Sequence, residues 1–205
     1  MSQSGLNMSR RIRRTPYTDR VEAHGVRGFS VVNHMLLPKA YGPSVEEDYW
    51  HLREHVQIWD VACQRQVEIR GRDAARLVQM MTPRDLRTAR FGQGLYVPLR
   101  DEAAGMLNDP VLQKLDEDRF WLSIADKDML MWCRAIAAER GLQVDLCEPD
   151  VSPLAVQGPM AEDVVAAVFG DWVRDIRFFW FADAEIEGIP VKIQRSGYSG
   201  QGGFE

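Results

Sequence analysis

The chain lacks the material for several whole classes of protein. Its 205 residues include three cysteines, Cys63, Cys133 and Cys147, an odd number, widely spaced within apolar or strand-like segments. That is no disulfide framework; buried free thiols in a reducing compartment are expected, which places the protein in the cytoplasm. No apolar run approaches the ~20 residues that cross a bilayer, and none follows the N-terminal arginines, so neither a membrane helix nor a secretory signal is expected. Positive charge is also short: the formal net charge is -5, and the one strong basic run is Arg10-Arg11-Ile12-Arg13-Arg14. A nucleic-acid partner is disfavoured. No Gly-Lys-Ser/Thr phosphate loop occurs, and the glycine-rich stretch near the end lacks dinucleotide-fingerprint spacing. In Gly197-Tyr198-Ser199-Gly200, Gln201 stands where a nucleophile elbow needs its final glycine, so no hydrolase follows. His51 and His55 lie four apart on one predicted helix but lack the glutamate of a His-Glu-x-x-His site; a solvated or locally hydrogen-bonded pair is expected, and no metal.

What is present reads as a globular chain, 45% hydrophobic, sufficient for one large domain or two small ones. Residues 1–14 form a polar, basic arm, mobile at 1–8. Ser44-Val45-Glu46-Glu47 is a capping-box pattern, and Val45, Tyr49, Leu52 and Val56 then recur at helical spacing, predicting a helix to about Ile58. A strand through Val67 and Ile69, a turn at Gly71 and a helix opened by Asp73, with Ala74, Leu77, Val78 and Met81 on one face, come next. Residues 94–125 read as an antiparallel meander with strands at 95–99, 106–114 and 120–124. Asp126 is placed as the cap of a helix through Leu130, Cys133, Ile136 and Ala137, which Gly141 ends before a strand at Leu142, Val144 and Leu146. After Pro149 the order restarts: strand 154–157, a Gly158-Pro159 junction opening a helix to Phe169, then strands at 178–181 and 191–194. The pattern predicts an α+β fold of mixed or antiparallel sheets with helices packed on them, spanning 15–205 and dividing into two subdomains near 149–153.

Three segments carry candidate chemistry. Asn108-Asp109-Pro110 sits at a sheet edge or opening, where it reads either as a turn-capping pair or as a fixed carboxylate beside a nitrogen-rich ligand. Four consecutive aromatics, Phe178-Phe179-Trp180-Phe181, would face both sides of a strand, as sheet core or as part of a pocket lining. The stretch from Arg195 to Glu205 is a glycine-rich turn: its glycines permit close backbone approach to a flat ligand, Tyr198 and Phe204 offer stacking faces, and Glu205 can accept hydrogen bonds from ring nitrogens. A plain turn between strands is the competing reading.

Taken in order, Tyr41-Gly42 with Glu47, Trp59-Asp60-Val61, Val67 to Ala74, Asn108-Asp109, Leu154-Ala155-Val156-Gln157-Gly158-Pro159 and Arg195 to Glu205 resemble the glycine-cleavage T-protein family of folate-binding one-carbon transferases. The resemblance covers roughly residues 10–205. Arg14-Thr15-Pro16-Tyr17, Asn33 to Pro38, Val56 to Val61, Asn108-Asp109-Pro110 and Ser123-Ile124-Ala125-Asp126 favour its sulfonium-demethylase subgroup. Aminomethyltransferases of the family usually carry two acidic residues at the Asn108-Asp109 position and a glutamate at Gln201. The resemblance implies transfer of a methyl group from dimethylsulfoniopropionate to N5 of tetrahydrofolate, with Asp109 as the catalytic carboxylate near N5. It further implies Tyr96, Asp109, Ser123, Ile124 and Glu205 as the folate-binding set, and Trp180 and Tyr198 as weaker sulfonium contacts. Partners would be a small-molecule methyl donor, with a homodimer left open. The family's C-terminal barrel-like domain has no counterpart within these residues, so a truncated chain is expected. The alternatives are a glycine-cleavage-type aminomethyltransferase and a noncatalytic folate-binding or assembly module.

Overall fold

The computed structural model describes residues 11–42 and 44–205. The chain opens with α1 (Thr18–Ala23), the hairpin β1 (Gly28–Val32) and β2 (Met35–Ala40), then α2 (Val45–Glu54) and β3 (Gln57–Asp60). A meander region follows: β4 (Gln66–Arg70), α3 (Ala74–Met81), β5 (Gly94–Tyr96), β6 (Leu99–Arg100), β7 (Met106–Asn108), β8 (Val111–Asp116), β9 (Arg119–Ser123), α4 (Met129–Glu139) and β10 (Asp145–Cys147). The last part holds β11 (Leu154–Gln157), α5 (Ala161–Phe169), a 3-10 turn at Asp171–Asp175, β12 (Phe181–Ile186), β13 (Ile189–Gln194) and β14 (Gly203–Phe204).

The largest sheet has five strands in the order β10-β4-β9-β8-β5, and a second has three in the order β14-β11-β3. Every pairing between these strands is antiparallel, as an α+β fold with helices on the sheets requires. Alternation in β4, β8 and β9 puts Val67, Ile69, Leu112, Phe120 and Leu122 on one face, where they close a core with Leu77, Val78 and Met81 of α3 and Cys133 and Ala137 of α4. Burying each such aliphatic side chain contributes roughly 1.5–3 kcal/mol relative to exposure. A second core gathers Val165 and Ala166 of α5 with Val173, Ile176, Ile193 and Phe204. On the opposite face of the five-stranded sheet, Leu115 and Trp121 meet Phe181, so β12 docks there.

Several boundaries differ from those the pattern predicts. The helix opened by Ser44 has the predicted capping box, with Ser44 Oγ accepting from the Glu47 N–H and Glu47 accepting from the Ser44 N–H. It ends at Glu54, because residues 57–60 pair in full register with β11, and it buries none of its side chains. Pro110 breaks the 106–114 strand in two: it has no N–H to give, and its carbonyl accepts from Val97 instead at 2.9 Å. Asp128, not Asp126, caps α4, by accepting from the Met131 N–H. The helix after Gly158-Pro159 begins two residues later, at Ala161. Residues 178 and 179 turn rather than extend: Phe179 has φ +59°, and its carbonyl accepts from the Gly94 N–H at 2.6 Å, while Trp180 forms an antiparallel bridge with Gln93. The arm lies outside the described residues up to residue 10. From there it is pinned, with the Arg13 N–H donating to the His34 carbonyl and the Arg13 guanidinium on Glu148.

Candidate functional site

The expected site residues centre on the face of the five-stranded sheet turned away from α3 and α4. Tyr96 stands opposite Val111, Val111 opposite Ser123, and Ser123 opposite Gln66, so this row of side chains shares one face. Gln66 Nε2 donates to Ser123 Oγ at 3.2 Å. The adjoining row, Leu95, Leu112, Leu122 and Val67, has the opposite orientation and fills the core. Asp109 lies in the break between β7 and β8, beside the end of β5, and the Tyr96 hydroxyl donates to its Oδ2 at 3.1 Å. Desolvation, then the hydrogen bond to Asp109 and the charge of that carboxylate, raise the Tyr96 phenol above its ordinary pKa, with Tyr198 close enough to add to the effect. Ile124 is different: its side chain belongs to the core with α3 and α4, leaving only backbone toward the site.

Asn108 and Asp109 are neighbours with separate tasks. Asn108 is buried, its Nδ2 donates to the Asp126 carbonyl, and its Oδ1 accepts from the Ala125 N–H at 3.1 Å. It pins the loop after Ser123 and Ile124 to the break that carries Asp109. A carboxylate there could accept from Ala125 but not donate to Asp126.

The second wall is the glycine-rich turn after β13. Glu205 exchanges both backbone hydrogen bonds with Gln194, at 2.8 and 2.9 Å, and the Ser196 hydroxyl donates to Glu205 Oε2 at 3.0 Å. Burial raises the Glu205 pKa, and the Ser196 hydroxyl partly offsets that. The Gln194 side chain accepts from the Gln113 amide on β8, two residues along from Val111 and on the same face. The root of the turn is thereby attached to the sheet face that carries Tyr96 and Ser123. Tyr198, at the tip, is fully exposed (100%), whereas Phe204 is 2% exposed within the second core, with the Arg195 guanidinium over its ring. The expected stacking role of Phe204 is therefore corrected: its ring is already packed. Trp180 lines a separate recess of about 300 Å³ with Trp172, Asp175 and Phe181.

A larger cleft, about 710 Å³, lies between β2, α2 and β3, lined by Tyr41, Asp48, His51, Trp59 and Asp60 among others. Periodicity gave no sign of it, because its lining comes from three elements distant in sequence. Asp60 is committed structurally, accepting from Thr15 Oγ1 at 2.5 Å and from the Ala62 N–H at 3.1 Å. His51, in the last turn of α2, and His55, its C-cap, sit with ring centroids 4.9 Å apart.

With this fold and geometry in hand, the family model of the GCVT N-terminal domain matches residues 17–205. The chain belongs to that family. This GCVT N-terminal domain chain is 54% identical over 197 residues to dimethylsulfoniopropionate demethylase DmdA of Ruegeria pomeroyi, covering 96% of the chain and 54% of that relative. It is 29% identical to an aminomethyltransferase of Halalkalibacterium halodurans, over 95% of the chain and 53% of the relative. Among solved structures, glycine cleavage system aminomethyltransferase T from Bartonella henselae superposes with a TM-score of 0.81 at 27% identity, over 94% of this chain and 52% of that one. The GCVT chain thus spans about half the length of the curated relatives it matches. Among its described residues no helix is long and apolar enough to cross a membrane.

Proposed function

We propose that this chain forms the folate-holding part of a tetrahydrofolate-dependent methyltransferase whose methyl donor is a sulfonium, dimethylsulfoniopropionate. The observation that carries the reading is the 54% identity, over nearly the whole chain, to a protein named for demethylating that compound, against 29% to an aminomethyltransferase. The site residues fit a pterin. Glu205 presents a carboxylate with one oxygen on Ser196, able to accept from ring N–H groups, and Asp109 presents another that Tyr96 holds in place.

Bound tetrahydrofolate would supply the N5 lone pair that takes the methyl while the carbon–sulfur electron pair leaves with a neutral thioether, and the N5 proton would then pass to solvent to leave neutral 5-methyltetrahydrofolate. In that reading Asp109 stands near N5 and stabilises the positive charge that moves onto the nitrogen. Tyr96 fixes the rotamer of Asp109, Ser123 and the Ile124 backbone complete that wall, and Glu205 binds the pterin edge. Tyr198 offers an aromatic face to the sulfonium, worth on the order of 1 kcal/mol, whereas Trp180, the other expected sulfonium contact, lines a separate recess. Catalysis is then alignment and exclusion of water, since no redox step is needed. We further infer a cytoplasmic location from the unpaired thiols of Cys63, Cys133 and Cys147, and a subdomain division at 149–153, between the two main cores.

Incubation of the purified protein with tetrahydrofolate and dimethylsulfoniopropionate should give 5-methyltetrahydrofolate and the demethylated thioether in equal amounts, read by mass spectrometry. Ammonia release in a reconstituted glycine-cleavage assay, without that product, would instead assign an aminomethyltransferase. Folate binding with neither product would leave a noncatalytic folate-binding module.

A further inference from the structure

We propose that Gln157 is the positioning residue of the site, the post around which the glycine-rich turn is wound so that Tyr198 and Glu205 face the ligand; this rests on the folate reading above. Gln157 ends β11 and is 1% exposed. Its Nε2 donates to the carbonyls of Ser196 at 3.1 Å and Phe204 at 3.3 Å, and its Oε1 accepts from the Ser199 hydroxyl at 2.7 Å. These partners lie at the start, middle and end of the turn, so one amide holds the whole of it. Ser199 passes the constraint on by accepting from the Gln201 N–H at 3.1 Å.

The glycines confirm what the turn approaches. Gly197 and Gly203 have φ of +153° and +149°; a Cβ on Gly197 would fall 1.9 Å from Gln157 Oε1, and one on Gly203 would fall 2.3 Å from the Val156 carbonyl oxygen and 2.5 Å from Gln157 Nε2. Their bareness is used to close backbone over Gln157. The consequence reaches the site through Ser196: its carbonyl is held by Gln157, and its hydroxyl holds Glu205. A glutamate in place of Gln157 would set a carboxylate against two carbonyls it could only repel, whereas a methionine keeps the volume and loses the bonds.

The test is Gln157→Met in the full chain, read by tetrahydrofolate affinity in a calorimeter and by amide hydrogen exchange over residues 196–204. The expected result is a Kd raised on the order of tenfold, exchange in the turn accelerated, and exchange in α3 and β9 unchanged. Unchanged Kd and unchanged exchange in the turn would overturn the proposal. Ser199→Ala, which removes one bond from the outer side, should move both readouts the same way by less; if Gln157→Met does not fold, this variant decides. Should the unaltered protein bind no folate, the functional reading fails. The exchange measurement alone then decides whether Gln157 sets the turn.

Discussion

At the scale of single residues, the candidate site presents carboxylates whose surroundings differ. Asp109 is held by the Tyr96 hydroxyl at 3.1 Å in a break that no regular hydrogen-bond ladder fills. Asp109→Ala should lower methyl transfer about 100-fold, the usual size for one electrostatic stabiliser, while tetrahydrofolate Kd changes far less; steady-state kinetics beside calorimetric binding separate the two. Glu205 has its pKa raised from 4.5 by burial. On acidification it takes up its proton at a higher pH than a free glutamate does. Folate affinity should therefore fall as pH drops through a range lying above 4.5, and Glu205→Gln should lack that limb in a pH series of Kd values. In the free protein the same shift favours the protonated form, so the stability it contributes is full below 4.5 and is lost as pH rises through the folded value. The types of both residues were visible in the sequence. That Ile124 turns its side chain into the core and Phe204 is sealed beneath Arg195 was not, because alternation assigns two faces without saying which one meets the ligand.

At the scale of elements, those with internal periodicity were legible and those set by a distant strand were not. The apolar face of α3, Ala74, Leu77, Val78 and Met81, is buried as its spacing predicts. The capping box of α2 is also present, yet Val45 is 87% exposed and the helix stops where β3 is captured by β11. Strand pairing with β11 there takes up backbone groups that another helical turn would have used. The same crossing makes Gly158 indispensable. Its φ is +124°, and a Cβ would lie 2.3 Å from the His55 carbonyl oxygen and 3.1 Å from that of Leu52. Both obstacles are backbone and cannot swing aside. Gly158→Ala should cost at least ~2 kcal/mol, measured as a drop in the urea midpoint with the slope unchanged. A variant of normal stability would show that β3 and β11 are not held in this crossing.

At the scale of the whole molecule, the five-stranded sheet is the frame, and buried Glu68 is part of its fastening. Burial alone would raise its pKa, but hydrogen bonds from Trp121 and Arg119, with the charges of Arg119 and Arg70, hold it below the ordinary 4.5. A carboxyl lowered in the folded state contributes stability above its unfolded pKa and loses it as pH falls through the folded value. Glu68→Gln should thus lose about 2 kcal/mol at pH 7, the scale of hydrogen bonds to a charged group. The loss should shrink as thermal unfolding is followed to pH values well below 4.5. A difference independent of pH would mean that the Glu68 charge plays no part. By itself the sequence determined the α+β composition, the helices with strong apolar stripes and the residue types available to a folate site, because local propensity and periodicity depend on near neighbours. Only the tertiary structure decided that Tyr96 meets Asp109, that Asn108 serves the loop at 125–126, and that the glycines of the last turn close upon Gln157. Those contacts join residues from 13 to 46 positions apart. Which of the many sterically permitted partners each residue meets is settled by how sheets and cores pack, a free energy shared over the whole chain.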